Sequence, residues 1–309
     1  MIRYYHKTAK DSSTKVLEKF TSGSWVYVEK ASKAEIQELV KQFDLDPGHL
    51  DDAHDSDEMP RLEREGGQTY FFTRFARTDS DLVLTTTPLL IIFHPKCLIT
   101  VSLETIPGLE KLTNGKIEVT TSQHGKLALQ ILDQIDDKYE RNLSEIGKQI
   151  KSIRARLRVE EIRNQDFVSF VTIEDELNEF MTALTPMTPI LKRLMLGKHL
   201  KLFNEDKEMV EDLLLNNEQS IAACRSSIKS VVNIREAYST IMSNDLNRII
   251  RILTVLTVLI SIPTLIASIY GMNVDLPFER SSATFSILML LSVSLSLLLI
   301  WYFKHKKWL

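Results

Sequence analysis

The rhythm of hydrophobic and polar positions changes twice along this chain. Up to about residue 123 it alternates between strand-like and helix-like stretches. Residues 24–28 (SWVYV) are β-branched and aromatic and read as a strand. Ser32 followed by Glu35 makes a capping box, and Ile36, Leu39, Val40 and Phe43 follow at helical spacing. Residues 68–76 (QTYFFTRFA), 82–87, 89–93 and 98–103 read as further strands. The pattern predicts an α/β domain over 1–123.

Beyond it the period becomes helical. Residues 126 to about 161 repeat Leu and Ile at spacings of three and four, with charges between and no proline. A second helical segment, 166 to about 200, is predicted to bend or break at Pro186 and Pro189. The antiparallel helices are thus placed over 124–204. A third segment starts at Glu205 and meets no glycine or proline before Pro263. Its stripe of Leu214, Ile221, Cys224, Ile228, Val231, Tyr238 and Met242 lies along one side. As one helix over 205–270 it would be on the order of 100 Å long. Such a helix needs a bundle or coiled coil for support. It suits relaying a signal, and a plain structural stalk fits the periodicity equally well.

The last change is to long apolar runs. Residues 252–270 and 285–303 carry no charge, and each is about as long as a helix needs to cross a bilayer. The 271–284 connection is short, so the two spans predict a tight membrane hairpin. Arg248 and Arg251 precede the first span, and Lys304, Lys306 and Lys307 follow the second in a basic tail, 304–309. The connection holds Asp275, Glu279 and Arg280. This bias places both ends in the cytoplasm and the connection outside. Trp301, Tyr302 and Trp308 suit an interfacial anchor.

Within the first span, Thr257, Ser261, Thr264 and Ser268 fall within about 60° of one another around the helix, with Thr254 at the edge. The same face continues inward through Leu253, Ile250 and Leu246 and outward to Gly271, Met272 and Asn273. Hydroxyls above an apolar neck suit a wet pore with a hydrophobic constriction. Small hydroxyl residues also mark close helix packing, and periodicity leaves both readings open. One helix face cannot enclose a pore, so the pore reading requires a symmetric oligomer. Ser292, Ser294 and Ser296 make no comparable stripe in the second span, which is the better lipid-facing helix.

Composition narrows the class. The net charge of -3 over 309 residues argues against a nucleic-acid partner. Cys97 and Cys224 have no CxxC spacing, which excludes a disulfide framework and suits a reducing cytosol. No apolar signal-peptide core opens the chain, so the part before the spans is expected in the cytosol. Residues 44–58 concentrate Asp44, Asp46, Asp51, Asp52, Asp55, Asp57 and Glu58 with His49 and His54, and contain no lysine or arginine. This reads either as a solvated acidic loop or as oxygen ligands for a hard cation.

Tyr270-Gly271-Met272-Asn273 at the outer end of the first of two C-terminal spans resembles the signature of the CorA family of divalent-cation channels. Asn247-Arg248, Pro263-Thr264, His49-Leu50-Asp51-Asp52 and Pro60-Arg61-Leu62-Glu63 extend the likeness over the whole chain. The resemblance implies a funnel-shaped homopentamer in the cell membrane that carries Mg²⁺, with Co²⁺ as a further cargo, and has no organic cofactor. It implies a mouth at Gly271, Met272 and Asn273, a hydrated path along Thr257, Ser261, Thr264 and Ser268, and a gate at Leu246, Ile250 and Leu253. It further implies regulatory Mg²⁺ at Asp52, beside Asp51, and at Asp212, beside Glu211. The 275–279 stretch matches the family only loosely, so Asp275 and Glu279 are assigned no more than cation attraction at the mouth.

Two alternatives share this architecture, a Zn²⁺-carrying relative and a non-conducting membrane-tethered sensor. A hydrolase using His49 and His54 is disfavoured, because there is no HExxH and no Gly-rich phosphate loop.

Overall fold

Seven strands build one sheet near the start of the chain: β1 (Ile2–His6), β2 (Lys15–Leu17), β3 (Trp25–Glu29), β4 (Arg61–Glu65), β5 (Gln68–Thr78), β6 (Leu84–His94) and β7 (Cys97–Ser102). The order is β2-β1-β3-β7-β6-β5-β4, and β3 runs parallel to β7 while the other pairs are antiparallel. The computed structural model describes residues 1–11, 13–156, 164–197, 203–274, 276, 283–306 and 308. The chain divides into two units, Met1–Asn233 and Ile234–Leu309.

Strand alternation sorts the core of the first unit. Val26, Val28, Tyr70, Phe72, Leu90, Ile92, Ile99 and Val101 share one sheet face. They pack with Ile36, Leu39 and Phe43 of α1 (Lys33–Phe43) and Leu50 of α2 (Pro47–Asp52). The other parity, Trp25, Tyr27, Phe71, Leu89, Ile91 and Leu98, is just as buried. On that side lie α4 (His124–Arg156) and α5 (Asn164–Leu184), whose Tyr139 and Phe180 rings meet edge-on at 5.0 Å. Tyr139 anchors α4 to the sheet by donating its hydroxyl to the Arg74 carbonyl at 3.1 Å. Burial on both faces is why the central strands read as near-continuous apolar runs.

The capping box forms as expected, with both halves of the Ser32–Glu35 exchange present. Four details differ from the sequence reading. The segments predicted at 82–87 and 89–93 are one strand, β6, which continues through Pro88. Pairing with β7 begins at Leu89, so on that side no ladder donor is required of Pro88. The segment predicted over 166–200 breaks as expected at Thr185–Pro186, into α5 and α6 (Met187–Met195), but Pro189 does not bend it further: it sits in the first turn of α6, where a missing N–H breaks no helical bond. The acidic stretch is no open loop. Asp46 caps α2 by accepting the His49 amide at 3.0 Å, and Pro47 occupies the first turn. A short α3 (Leu109–Thr113) precedes α4.

α7 (Asn204–Tyr270) is a single helix of 67 residues. Ile221, Cys224, Val231 and Tyr238 of the predicted stripe are buried, while Leu213 takes the buried place expected for Leu214, and Met242 is 53% exposed. Cys97 and Cys224 are free and buried, and burial pushes both thiols up to about 12. The second unit consists of the rest of α7, its connection, and α8 (Thr284–His305). These two helices are long and apolar enough to cross a membrane.

Candidate ion path and carboxylate sites

α7 carries its hydroxyls through the apolar span at no loss of hydrogen bonding. Thr254, Thr257 and Thr264 each donate Oγ1 to the carbonyl four residues back, on Ile250, Leu253 and Ile260, at 2.8 Å, and Ser261 donates to Val258 at 2.9 Å. With the proton committed to the helix, each oxygen presents lone pairs outward, where they can accept from a cation's water shell. Pro263 lies inside the same helix and leaves the Leu259 carbonyl without its usual amide donor. A surface groove of about 600 Å³ follows Thr257, Ser261, Thr264 and Ser268, flanked by Ile260, Ile262 and Leu265.

The buried side of this span faces elsewhere. Val255 is 2% exposed, and Val258, Leu259, Ile262 and Ile266 are half-buried. These five centre about 150° around the helix from the hydroxyls. The one other helix described in this unit is α8, whose buried Ser292 and half-buried Leu288, Ser296, Leu299 and Phe303 form the row suited to cover them. Thr257, Ser261, Thr264 and Ser268 are therefore exposed in the single chain, as are Leu246, Ile250 and Leu253 at 58%, 51% and 60%. The whole predicted path lies on one open face.

α7 stops at Tyr270. The Gly271 amide still reaches the Ala267 carbonyl at 2.9 Å, and the Met272 amide reaches Ile269. A Cβ on residue 271 would stand 3.2 Å from the Ala267 carbonyl oxygen, tighter than ordinary contact, so glycine eases the turn. Met272 and Asn273 follow, both exposed. Lys304 and Lys306 are exposed at the end of α8. Asp275, Glu279 and Lys307 lie outside the described residues.

The regulatory candidates fall into two groups. Asp51 is exposed on α2, whereas Asp52 is already held by Arg61, Nη2 to Oδ2 at 2.6 Å. Arg61 also meets Glu58 and Glu63 and lies 4.0 Å over the Phe72 ring. The cation that residues 44–58 lack thus comes from β4. Glu211 and Asp212 are exposed on α7. Burial chiefly, then Asp137, raises the Asp133 carboxyl of α4, and Asp212 adds to that repulsion. Next to it, Asp136 is pushed up to about 8, first by burial and then by Asp133, Glu140 and Asp137, and its Oδ2 is closed off without a hydrogen bond. Sequence reasoning passed over this α4 group because its carboxylates read as ordinary solvent-facing positions.

The chain is similar to known proteins over nearly its whole length. The cobalt/magnesium transport protein CorA of Methanocaldococcus jannaschii is 25% identical over 295 residues, covering 92% of this chain and 91% of that protein. The complete structure of the CorA magnesium transporter from the same organism superposes with a TM-score of 0.88 at 20% identity, over 100% of this chain and 99% of that one. The ZntB cytoplasmic domain from Vibrio parahaemolyticus shares the fold of 78% of this chain, with a TM-score of 0.62 at 9% identity and 98% of that domain covered. The family model described as CorA-like Mg²⁺ transporter protein matches residues 21–305, so the chain belongs to the CorA-like Mg²⁺ transporter family.

Proposed function

We propose that this chain assembles as a ring of identical subunits, a homopentamer, and passes hydrated Mg²⁺ along the hydroxyl face of its first membrane span into the cell. The observation that carries this reading is the open face itself. An oxygen-bearing strip on a membrane helix, turned away from its own chain's packed side, is free to meet a partner, and identical copies around an axis supply one. Mg²⁺ gives up water reluctantly. A ring of Asn273 amides can hydrogen-bond its water shell without stripping it, and the threonine and serine oxygens continue the same wet lining. Leu246, Ile250 and Leu253 would narrow the path to an apolar neck that closes by expelling water.

Orientation follows from charge. Lys304 and Lys306 after the second span, and Arg248 and Arg251 before the first, keep both ends in the cytosol and Asn273 outside. The role is conduction, with Mg²⁺ as cargo and as regulator rather than as the cofactor of a reaction.

The decisive test is flux of Mg²⁺ and Zn²⁺ into liposomes containing the purified full-length protein, combined with Ser268→Cys crosslinking. Mg²⁺ entry and disulfide-linked subunits are expected. Monomers without crosslinks and without flux would leave a membrane-tethered sensor as the function, and Zn²⁺ entry without Mg²⁺ would make it a zinc carrier.

Regulation is assigned to carboxylates that an ion would bridge between neighbouring subunits, Asp51 and Asp52 on one side and Glu211 and Asp212 on the other. Cytosolic Mg²⁺ would hold the ring closed, and its loss would let like charges loosen it. Asp212→Lys would supply a tethered positive charge. Protection of that variant from protease is expected to lose most of its dependence on Mg²⁺, and an unchanged dependence would refute the assignment.

A further inference from the structure

We propose that His49, Asp46 and Glu65, with Glu63 beside them, form a binding site for a borderline divalent ion of the Zn²⁺ type, remote in sequence from the ion path. One oxygen or nitrogen from each of Asp46, His49 and Glu65 lies within 4.8 Å of the others. The His49 side chain is only 9% exposed, yet Nε2 makes no hydrogen bond. That nitrogen stands 3.3 Å from Glu65 Oε2 and 3.5 Å from Glu63 Oε2. Ligands about 2.0–2.2 Å from a tetrahedral zinc ion stand about 3.3–3.6 Å apart, so these spacings suit donors around one ion.

Each donor is held by structure that precedes any ion. The His49 ring packs on Tyr70 with centroids 4.3 Å apart. The Tyr70 hydroxyl accepts the Asp46 amide at 3.0 Å and donates to Gln68, which in turn ties down the Phe43 and Asp44 carbonyls. Glu63 and Glu65 alternate onto one side of β4, and Glu63 gives its other oxygen to Arg61 Nε at 2.8 Å. Gly66 and Gly67, both at positive φ, close the β4–β5 hairpin in two residues and hold Glu65 at its end.

Ligand chemistry selects the ion. Imidazole nitrogen suits Zn²⁺ and its neighbours, whereas Mg²⁺ favours oxygen and water, so the site would bind Zn²⁺ against an excess of Mg²⁺. An ion here would clip the start of α2 to the end of β4, and α2 also carries Asp51 and Asp52. The alternative is a plain contact of His49 with the two glutamates, which binds no metal.

Zn²⁺ titration of the full-length protein in detergent, in a large excess of Mg²⁺, with Co²⁺ absorption as a second readout, separates the two. Saturable binding is expected, with visible Co²⁺ bands of a tetrahedral site. His49→Gln should weaken it by about 100-fold or more, and Glu65→Gln, an exposed change that spares the core, by at least about 10-fold. Asn273→Ala should leave it intact, which keeps this result separate from the transport reading. Absence of Zn²⁺ binding in the wild type, or wild-type affinity in Glu65→Gln, would overturn the proposal.

Discussion

Asn273→Ala is expected to reduce Mg²⁺ flux into liposomes by more than about 100-fold while leaving assembly and thermal stability unchanged. The side chain is exposed beyond the end of α7 and contributes nothing to the packing of the fold. Surface changes of that kind fall within about 0.5 kcal/mol in stability. In the proposed ring, the same substitution would remove every amide at the mouth together, so the loss would multiply over subunits. Alanine also leaves an apolar rim where a strongly hydrated ion must pause, and no remaining side chain of the Gly271–Asn273 turn can accept or donate to its water. Asn273→Asp separates geometry from charge. It should bind the ion more tightly and slow its passage, with flux saturating at lower Mg²⁺. Flux at the wild-type level in Asn273→Ala would remove this residue from the mouth.

The second large effect concerns pH and the first unit. Asp136 has a carboxyl pushed from its ordinary 3.8 up to about 8, by burial first and then by Asp133, Glu140 and Asp137. Between those two values the folded chain holds a proton that the unfolded chain has released. Stability therefore falls as pH rises through that window and is flat below and above it. Every tenfold gain in proton affinity on folding corresponds to about 1.4 kcal/mol, and local water entry reduces the full sum, leaving a loss on the order of 3 kcal/mol. Asp136→Asn cannot ionise. Its melting temperature should match the wild type below about pH 4 and exceed it increasingly above that, by several degrees at pH 8, measured in detergent with chelator to exclude bound ions. Parallel melting curves from pH 5 to 8.5 would show that Asp136 does not carry this pH dependence.

Much of the fold was legible because local rules and tertiary needs agree. The Ser32–Glu35 box and the two candidate spans are each set by short-range chemistry or by sheer apolar length. The break at Pro186 followed from the missing amide, although its placement between two separate helices did not. Where local and long-range demands diverge, the pattern misled. Pro88 reads as a strand breaker until the shortness of β7 removes the need for its amide. Residues 44–58 read as an acidic stretch with no cation of its own until β4 brings Arg61 against Asp52.

Chain order alone placed two candidate membrane spans, the hydroxyl strip with apolar residues along the same face, and the Gly271–Asn273 turn beyond it, since a helix repeats every 3.6 residues whatever surrounds it. Which side of that helix is closed, and that it is the side away from the hydroxyls, depended on how two helices meet in space. The same holds for the proton on Asp136 and for His49 beside Glu65. Those properties come from burial and from approach between distant segments, and neither quantity is written in the spacing of residues along one strand or helix.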